Sequence, residues 1–342
     1  MGPQISRRTL IASAAASGAL LRPLAAAAQG AVSPAMQDVL TYVQNQNTTG
    51  FLVIQDRKVL VERNWKPADD AQFRNFTYGT NAAGALLEDV ASQQKSFVSM
   101  LVAVALDKGL MDLSRSVTSY IGPGWSKAAP EQEAAIRVID VLTMSSGLTD
   151  RFAFTAPPGT VFFYNTPVYA ITKRVVAAAA KQSLETITAD WLTTPAGMKD
   201  TSWRKRPAAF ADVGNPTGLV TSPRDTAIFG QIVLDGGKAA DGKRIVSEAQ
   251  LKAMFTRSAT NPSYGRLWWL NGGAYTVRPS TARVDGPLIP AAPADLVAAL
   301  GALDRKLYVV PSKKLVVVRM GSACPDKGFD QQLWLRLSKA LA

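Results

Sequence analysis

Strand-like patterns lie near both ends of this chain and helical spacing fills the stretch between them, so its sheet must be assembled from two distant segments. GFLVIQD (50–56) and KVLVERNW (58–65) read as a hairpin at one end, and GRLWWLNG, RKLYVVPS and KLVVVRMG as strands at the other. A helix is expected over 36–47 and a closing amphipathic one in DQQLWLRLSKAL; residues 66–88 read as polar and irregular. Between them stand helical segments such as RVIDVLTM and VYAITKRVVAAAAKQ. SPRDTAIFGQIVLDGG carries a full set of helix punctuation: Ser222 as N-cap, Pro223 in the first turn, Asp225 three after the cap and Gly236 past the end. The fold class expected is α+β, an antiparallel sheet flanked by helices with an inserted all-helical region. The sheet body would take about 36–90 and 241–342, the helical region about 91–240, with the site in the cleft between them.

The 342 residues are 47% hydrophobic and 19% charged, which suits a folded globular body. The N-terminus, MGPQISRRTLIASAAASGALLRPLAAAAQG, pairs Arg7 and Arg8 ahead of an alanine-rich apolar run. Residues 1–29 therefore read as a twin-arginine-type export signal, with a periplasmic or secreted destination and no stable membrane span after export. Removing its three arginines and no acid lowers the formal charge from +12 to +9. No cluster of Lys and Arg interleaved with aromatics suggests a nucleic-acid partner. Cys324, the single cysteine, has no partner for an internal disulfide and reads as a packed thiol.

The chain contains no histidine. A Ser-His-Asp arrangement and an HExxH zinc site are both impossible, which leaves lysine, tyrosine or a carboxylate to activate a nucleophile. DVASQQKSFVSMLVAVALDKG (89–109) places Ser92 and Lys95 three apart at the start of a helix with a wide apolar face, closed by Gly109. Burial and a helix N-terminus both disfavour a charged Lys95, so its neutral amine could take the serine proton. Ser-x-x-Lys alone is equally compatible with a helix-start serine beside a solvated lysine. A second copy, Ser202 to Lys205 in TSWRKR, reads as a surface loop.

The wider context resembles the serine beta-lactamase and penicillin-recognising hydrolase superfamily, in its class C-like branch that includes esterases and 6-aminohexanoate-dimer hydrolases. The resemblance runs from about 50 to 340. It rests on DVASQQKSFVSMLVAVALDKGLMDL, IRVIDVLTMSSGL, PPGTVFFYNTPVYAI, NPTGLVTSPRDTAIFGQIVLDGG, YGRLWWLN and DLVAALGALDRKLYVVPSKKLVVVRMG. It implies a beta-lactamase/transpeptidase-like fold and a serine hydrolase cleaving a small amide or ester through an acyl-enzyme, with no metal or organic cofactor. Ser92 would be acylated, Lys95 and Tyr164 would move its proton, and the backbone N–H groups of Ser92 and Ala302 would form the oxyanion hole. A lysine beside the phenol should make Tyr164 easier to ionise. Asn165 and Thr166 complete the Tyr-x-Asn-like motif as substrate-binding candidates. The third motif departs from the family's Lys/His-Thr-Gly and from the Gly-x-x-Gly-Gln of the amide and ester hydrolases, since this chain has Gly301-Ala302-Leu303-Asp304-Arg305. Arg305 or Lys306 is expected to replace the missing substrate contacts, and strand alternation points the two to opposite faces. Trp268 and Trp269 likewise face opposite ways, with Trp268 the one expected to line the cleft. Met144 sits where relatives carry histidine. The rival readings are a beta-lactamase or D-peptidase of the same mechanism, and a non-catalytic binding protein on the same fold.

Overall fold

The computed structural model describes residues 32–67, 69–208, 214–280 and 282–342; the expected export segment 1–29 lies outside them. A six-stranded antiparallel sheet runs in the order β2-β1-β12-β11-β10-β7. It joins β1 (Thr48–Gln55) and β2 (Lys58–Asn64) to β7 (Trp269–Leu270), β10 (Val297–Gly301), β11 (Arg305–Val310) and β12 (Leu315–Gly321). The two ends of the chain meet where β1 pairs with β12, Phe51 opposite Arg319 and Ile54 opposite Val316. β11 and β12 are buried at every position because both faces of the sheet are covered, which is why their sequences run apolar without strict alternation.

Helices α1 (Pro34–Gln44) and α5 (Phe329–Ala340) cover one face, with Tyr42 stacked on Phe329 and Trp334 edge-on to Tyr308. α4 (Pro223–Leu234) covers the other, begun by Ser222, whose Oγ accepts from Asp225 N at 3.2 Å. A Cβ added to Gly230 would stand 2.7 Å from Val316 Cγ1 and 2.8 Å from Leu307 Cδ1, so only glycine lets α4 come this close.

α2 (Gln94–Asp107) and α3 (Thr166–Ala180) form the core of the inserted region, which is not wholly helical. A second sheet, in the order β3-β4-β6-β5, pairs β3 (Thr77–Thr80) and β4 (Leu86–Asp89) with β5 (Ser202–Lys205) and β6 (Thr217–Thr221). The stretch 66–88 thus holds two strands, and TSWRKR is an edge strand rather than a surface loop. Ser202 and Lys205 there lie on opposite faces of extended backbone and do not repeat the Ser92–Lys95 pairing. A small hairpin joins β8 (Tyr275–Val277) to β9 (Arg283–Asp285). No described helix is long and apolar enough to cross a membrane.

Candidate active site

Ser92 sits at the junction of the two sheets, one residue inside a single 3₁₀ turn, Ala91–Gln93, that connects β4 to α2. The turn is tight: Ala91 has φ +49°, a left-handed conformation that an L-residue adopts at a cost of roughly 1 kcal/mol. Asp89 holds it there. Its Oδ1 accepts from Ala91 N at 2.8 Å, and its carboxylate also takes Arg206 Nε (2.7 Å) and Nη2 (2.9 Å) in a buried bidentate pair. Val90 N donates to Leu219 O of β6 at 2.9 Å, which fastens the turn to the small sheet. From the other side β10 presses in: a Cβ on Gly301 would fall 2.3 Å from Val90 O and 3.3 Å from Gln93 N. Ala302, the next residue, begins the turn beside this junction.

One turn into α2, Lys95 is 2% exposed and its Nζ donates to Ser92 Oγ at 2.9 Å and to Thr166 Oγ1 at 3.1 Å. Among the described residues no carboxylate pairs with it. Burial, and secondarily the Arg206 guanidinium, bring the Lys95 amine down to about 7. Its other neighbours are rings: Nζ lies 4.7 Å from the centroids of both Tyr164 and Tyr169. Tyr169 also faces Lys173 at 5.6 Å, whose Nζ is held by Asn215 Oδ1, Thr217 O and Thr217 Oγ1.

Tyr164 arrives from the segment before α3, gripped on both sides by Met144. Phe163 N donates to Met144 O at 2.8 Å and Asn165 N to Met144 Sδ at 3.3 Å. Its ring stacks on Trp269 (centroids 5.6 Å apart) and meets Tyr264 edge-on at 6.1 Å. Burial pushes the phenol up to about 12, against hydrogen bonds with Ser92 and Trp269 that lower it. The sequence expectation of an easily ionised Tyr164 is therefore reversed. At neutral pH the lysine is the group near its titration point and the tyrosine keeps its proton.

Ser92, Lys95, Tyr164 and Thr166 come together as the spacing and the resemblance suggested. Asn165 does not join them: it caps α3, accepting from Val168 N at 3.0 Å and donating to Leu148 O at 2.9 Å, and is buried. Arg305 is also misassigned as a substrate contact. It is wholly buried against Glu88, with Nε 3.1 Å from Oε2, and its Nη1 donates to Ala302 O at 3.1 Å. Lys306 points to the opposite face, as alternation requires, but pairs there with Asp304 and Asp330 at 3.2 Å each. Trp268 is 0% exposed, packed between Phe229 and Phe255, and it is Trp269 that reaches Tyr164. Sequence reasoning also missed Tyr169 and Tyr264, and it marked Met144 by position without its contacts to the Tyr164 segment. An aromatic one helical turn after Thr166 was the available signal for Tyr169, whereas Met144, flagged only as standing in for a histidine, acts through its main chain and sulfur. Asp225 lies in the first turn of α4, but its carboxylate accepts from Asp200 N and Thr201 Oγ1, at 2.7 and 2.8 Å, instead of serving its own helix. Cys324 is buried, and burial pushes its thiol up to about 12.

Among solved structures the fold is similar to that of a beta-lactamase from Mycobacterium bovis, at 16% identity over 89% of this chain and 97% of that one, TM-score 0.62. It is also similar to a protein from Bacillus anthracis described as a 6-aminohexanoate-dimer hydrolase (17% identity, 88% and 81%, TM-score 0.64). A family VIII carboxylesterase superposes as well, at 14% identity over 91% and 99%, TM-score 0.63. These identities speak to fold alone. No curated protein matches the chain. The family model described as Beta-lactamase matches residues 29–340. Because that match spans both sheets and the turn that carries Ser92, the chain belongs to the Beta-lactamase family of hydrolases.

Proposed function

We propose that the protein is a serine hydrolase that cleaves a small, uncharged ester or amide through an acyl-enzyme on Ser92. The observation that carries this reading is the buried Lys95 Nζ lying 2.9 Å from Ser92 Oγ, with an amine that titrates at about 7. A serine hydroxyl is a poor nucleophile until a neighbouring base takes its proton, and a half-neutral lysine at hydrogen-bond distance meets that need. Ser92 Oγ attacks the carbonyl carbon as its proton passes to Lys95. The carbonyl oxygen, now an anion, is held by the backbone N–H groups of Ser92 and Ala302. Tyr164, still protonated, gives its proton to the departing alcohol or amine and recovers one from Lys95. Water, deprotonated by the same pair, then attacks the ester carbonyl and releases the acid and Ser92.

The state of the cations near the third motif favours an ester or amide over a beta-lactam or D-peptide bearing a carboxylate. Arg305 and Lys306 are both buried and both already paired with carboxylates, so neither is free to receive an anionic substrate. The Arg7–Arg8 pair and the alanine-rich run after it support export of the mature chain to the periplasm or beyond. Labelling with a fluorophosphonate probe, beside turnover of short nitrophenyl esters and a chromogenic cephalosporin, tests the reading. Covalent labelling that disappears in Ser92→Ala, with ester turnover exceeding cephalosporin turnover, is expected. Equal labelling of Ser92→Ala and the parent chain would overturn the nucleophile.

A further inference from the structure

The segment that leads into Tyr164 walls a cavity of about 510 Å³, within the range of sites that enclose small organic ligands, which none of Ser92, Lys95 and Tyr164 borders directly. Its walls are the turn Gly147–Thr149, residues 155–156, the segment 160–163 that leads into Tyr164, and Thr260 and Val277 across from them. No ionisable side chain lines it. The threonines on its walls are committed elsewhere. Thr155 Oγ1 donates to Gly147 O and Thr160 Oγ1 to Pro157 O, Thr149 Oγ1 accepts from Ala153 N, and Thr260 Oγ1 pairs with Ser258 Oγ. The hydroxyls are thus largely engaged with the protein, and most of the surface left to a ligand is methyl, aliphatic and aromatic. Val161, with 52% of its surface exposed, stands at the rim.

The cavity is preformed. Thr155 N donates to Gly147 O at 2.8 Å, Gly159 N to Ser145 O at 2.7 Å and Phe163 N to Met144 O at 2.8 Å, so the outer loop is laced to the turn behind it. Gly147 has φ +74°, and a Cβ there would collide with Ala156 O at 1.9 Å. The wall is also continuous with the chemistry: Phe162 and Tyr164, two residues apart, both meet Tyr264 edge-on, at 5.3 and 6.1 Å.

We infer that this cavity receives the uncharged alkyl or aryl part of the substrate's leaving group. The inference rests on the serine-hydrolase reading above, in which Tyr164 protonates that leaving group. Residues 160–163 wall the cavity and run directly into Tyr164, so an alkyl or aryl chain long enough to extend from the atom that Tyr164 protonates past Tyr264 would reach it. Burying apolar surface there favours longer chains by about threefold to fourfold per methylene until the space is filled.

Two ester series separate the leaving-group side from the acyl side: acetates of alcohols from ethyl to octyl, and ethyl esters of acids from acetate to octanoate. The inference expects kcat/KM to climb at least about tenfold along the alcohol series and to change far less along the acyl series. Val277→Trp, which fills the cavity, should bring the octyl-to-ethyl ratio in the alcohol series towards one; Thr160→Trp on the opposite wall serves if the first variant does not fold. A rise confined to the acyl series, or an alcohol-series ratio that survives both variants, overturns it. Calorimetry of Ser92→Ala with octyl acetate and ethyl acetate reads the cavity without turnover. Preferential binding of octyl acetate, lost on adding Val277→Trp, supports the cavity even if the parent chain hydrolyses nothing, in which case the serine-hydrolase reading fails by itself. Equal binding of the two acetates overturns the inference whatever the parent chain's activity.

Discussion

Lys95 carries a cost that its neighbours do not remove. Burial, more than the Arg206 charge, lowers its amine from an ordinary 10.5 to about 7, so between those pH values the unfolded chain holds a proton that the folded chain does not. Stability therefore rises with pH across that window, and the penalty is present in full below pH 7. Lys95→Met should raise unfolding stability at pH 7 by roughly 1–4 kcal/mol, with the difference from the parent fading towards pH 10.5. Urea titrations at a set of pH values check this, and a variant that is less stable at pH 7 contradicts it. The same substitution should remove ester turnover. In the parent chain kcat/KM should increase with pH through a midpoint near 7 and hold until Tyr164 ionises near 12. Tyr164→Phe should cost about 10²–10⁴ in turnover, more for poor leaving groups than for nitrophenolate, because good leaving groups need no proton.

At the level of elements, the parts that the sequence declared are those with strong local chemistry. Ser222, Pro223 and Gly236 marked α4 because capping is decided within a few residues. β1, β2, β11 and β12 were legible because apolar runs have few other uses. The small sheet escaped notice because β3, β4 and β5 have four residues each and carry polar positions; only their pairing across the chain makes them strands. Trp268 and Trp269 exchange places for a backbone reason: Leu267 has φ +63° and β7 proper is Trp269–Leu270, so regular alternation does not run through the whole of GRLWWLNG. Arg305 and Lys306 followed alternation correctly, but the sequence could not reveal that both faces of β11 are covered. Two substitutions test the elements, one remote from Ser92 and one beside it. Ser222→Ala, away from the site, should cost about 1 kcal/mol of stability through the lost cap, read from the denaturation midpoint. Gly301→Val should cut turnover at least about tenfold with a smaller effect on folding. Its Cβ would meet Val90 O at 2.3 Å and must push β10 away from the Ser92 turn, and retention of full activity would show that β10 does not support the reaction.

Across the whole molecule, two adjacent carboxylates at the end of β4 tie the architecture together, one to each sheet. Glu88 reaches into the large sheet, accepting from Thr49 Oγ1, from Arg305 Nε and, at 3.2 Å, from Gly321 N. Asp89 faces the small sheet, where Arg206 grips it and the absence of a side chain on Gly218 leaves room for the pair. Both carboxylates are buried, so removing either arginine strands a charge, and each single loss should cost about 3–5 kcal/mol. The two pairs differ in what else they do. Arg206 is the cation that helps to keep Lys95 neutral, so without it the Lys95 ammonium loses a repulsive neighbour. Arg206→Met should therefore move the acid midpoint of kcat/KM above 7, whereas Arg305→Met, comparably destabilising, should leave the midpoint in place. A double substitution of Glu88→Gln with Arg305→Met should recover part of the stability lost in Arg305→Met alone, because the stranded charge is gone. Chemical denaturation and pH–rate profiles on the same four proteins separate the contributions. Equal midpoints for Arg206→Met and Arg305→Met would mean that the ion pair behind the Ser92 turn holds the sheets together without tuning the lysine between them.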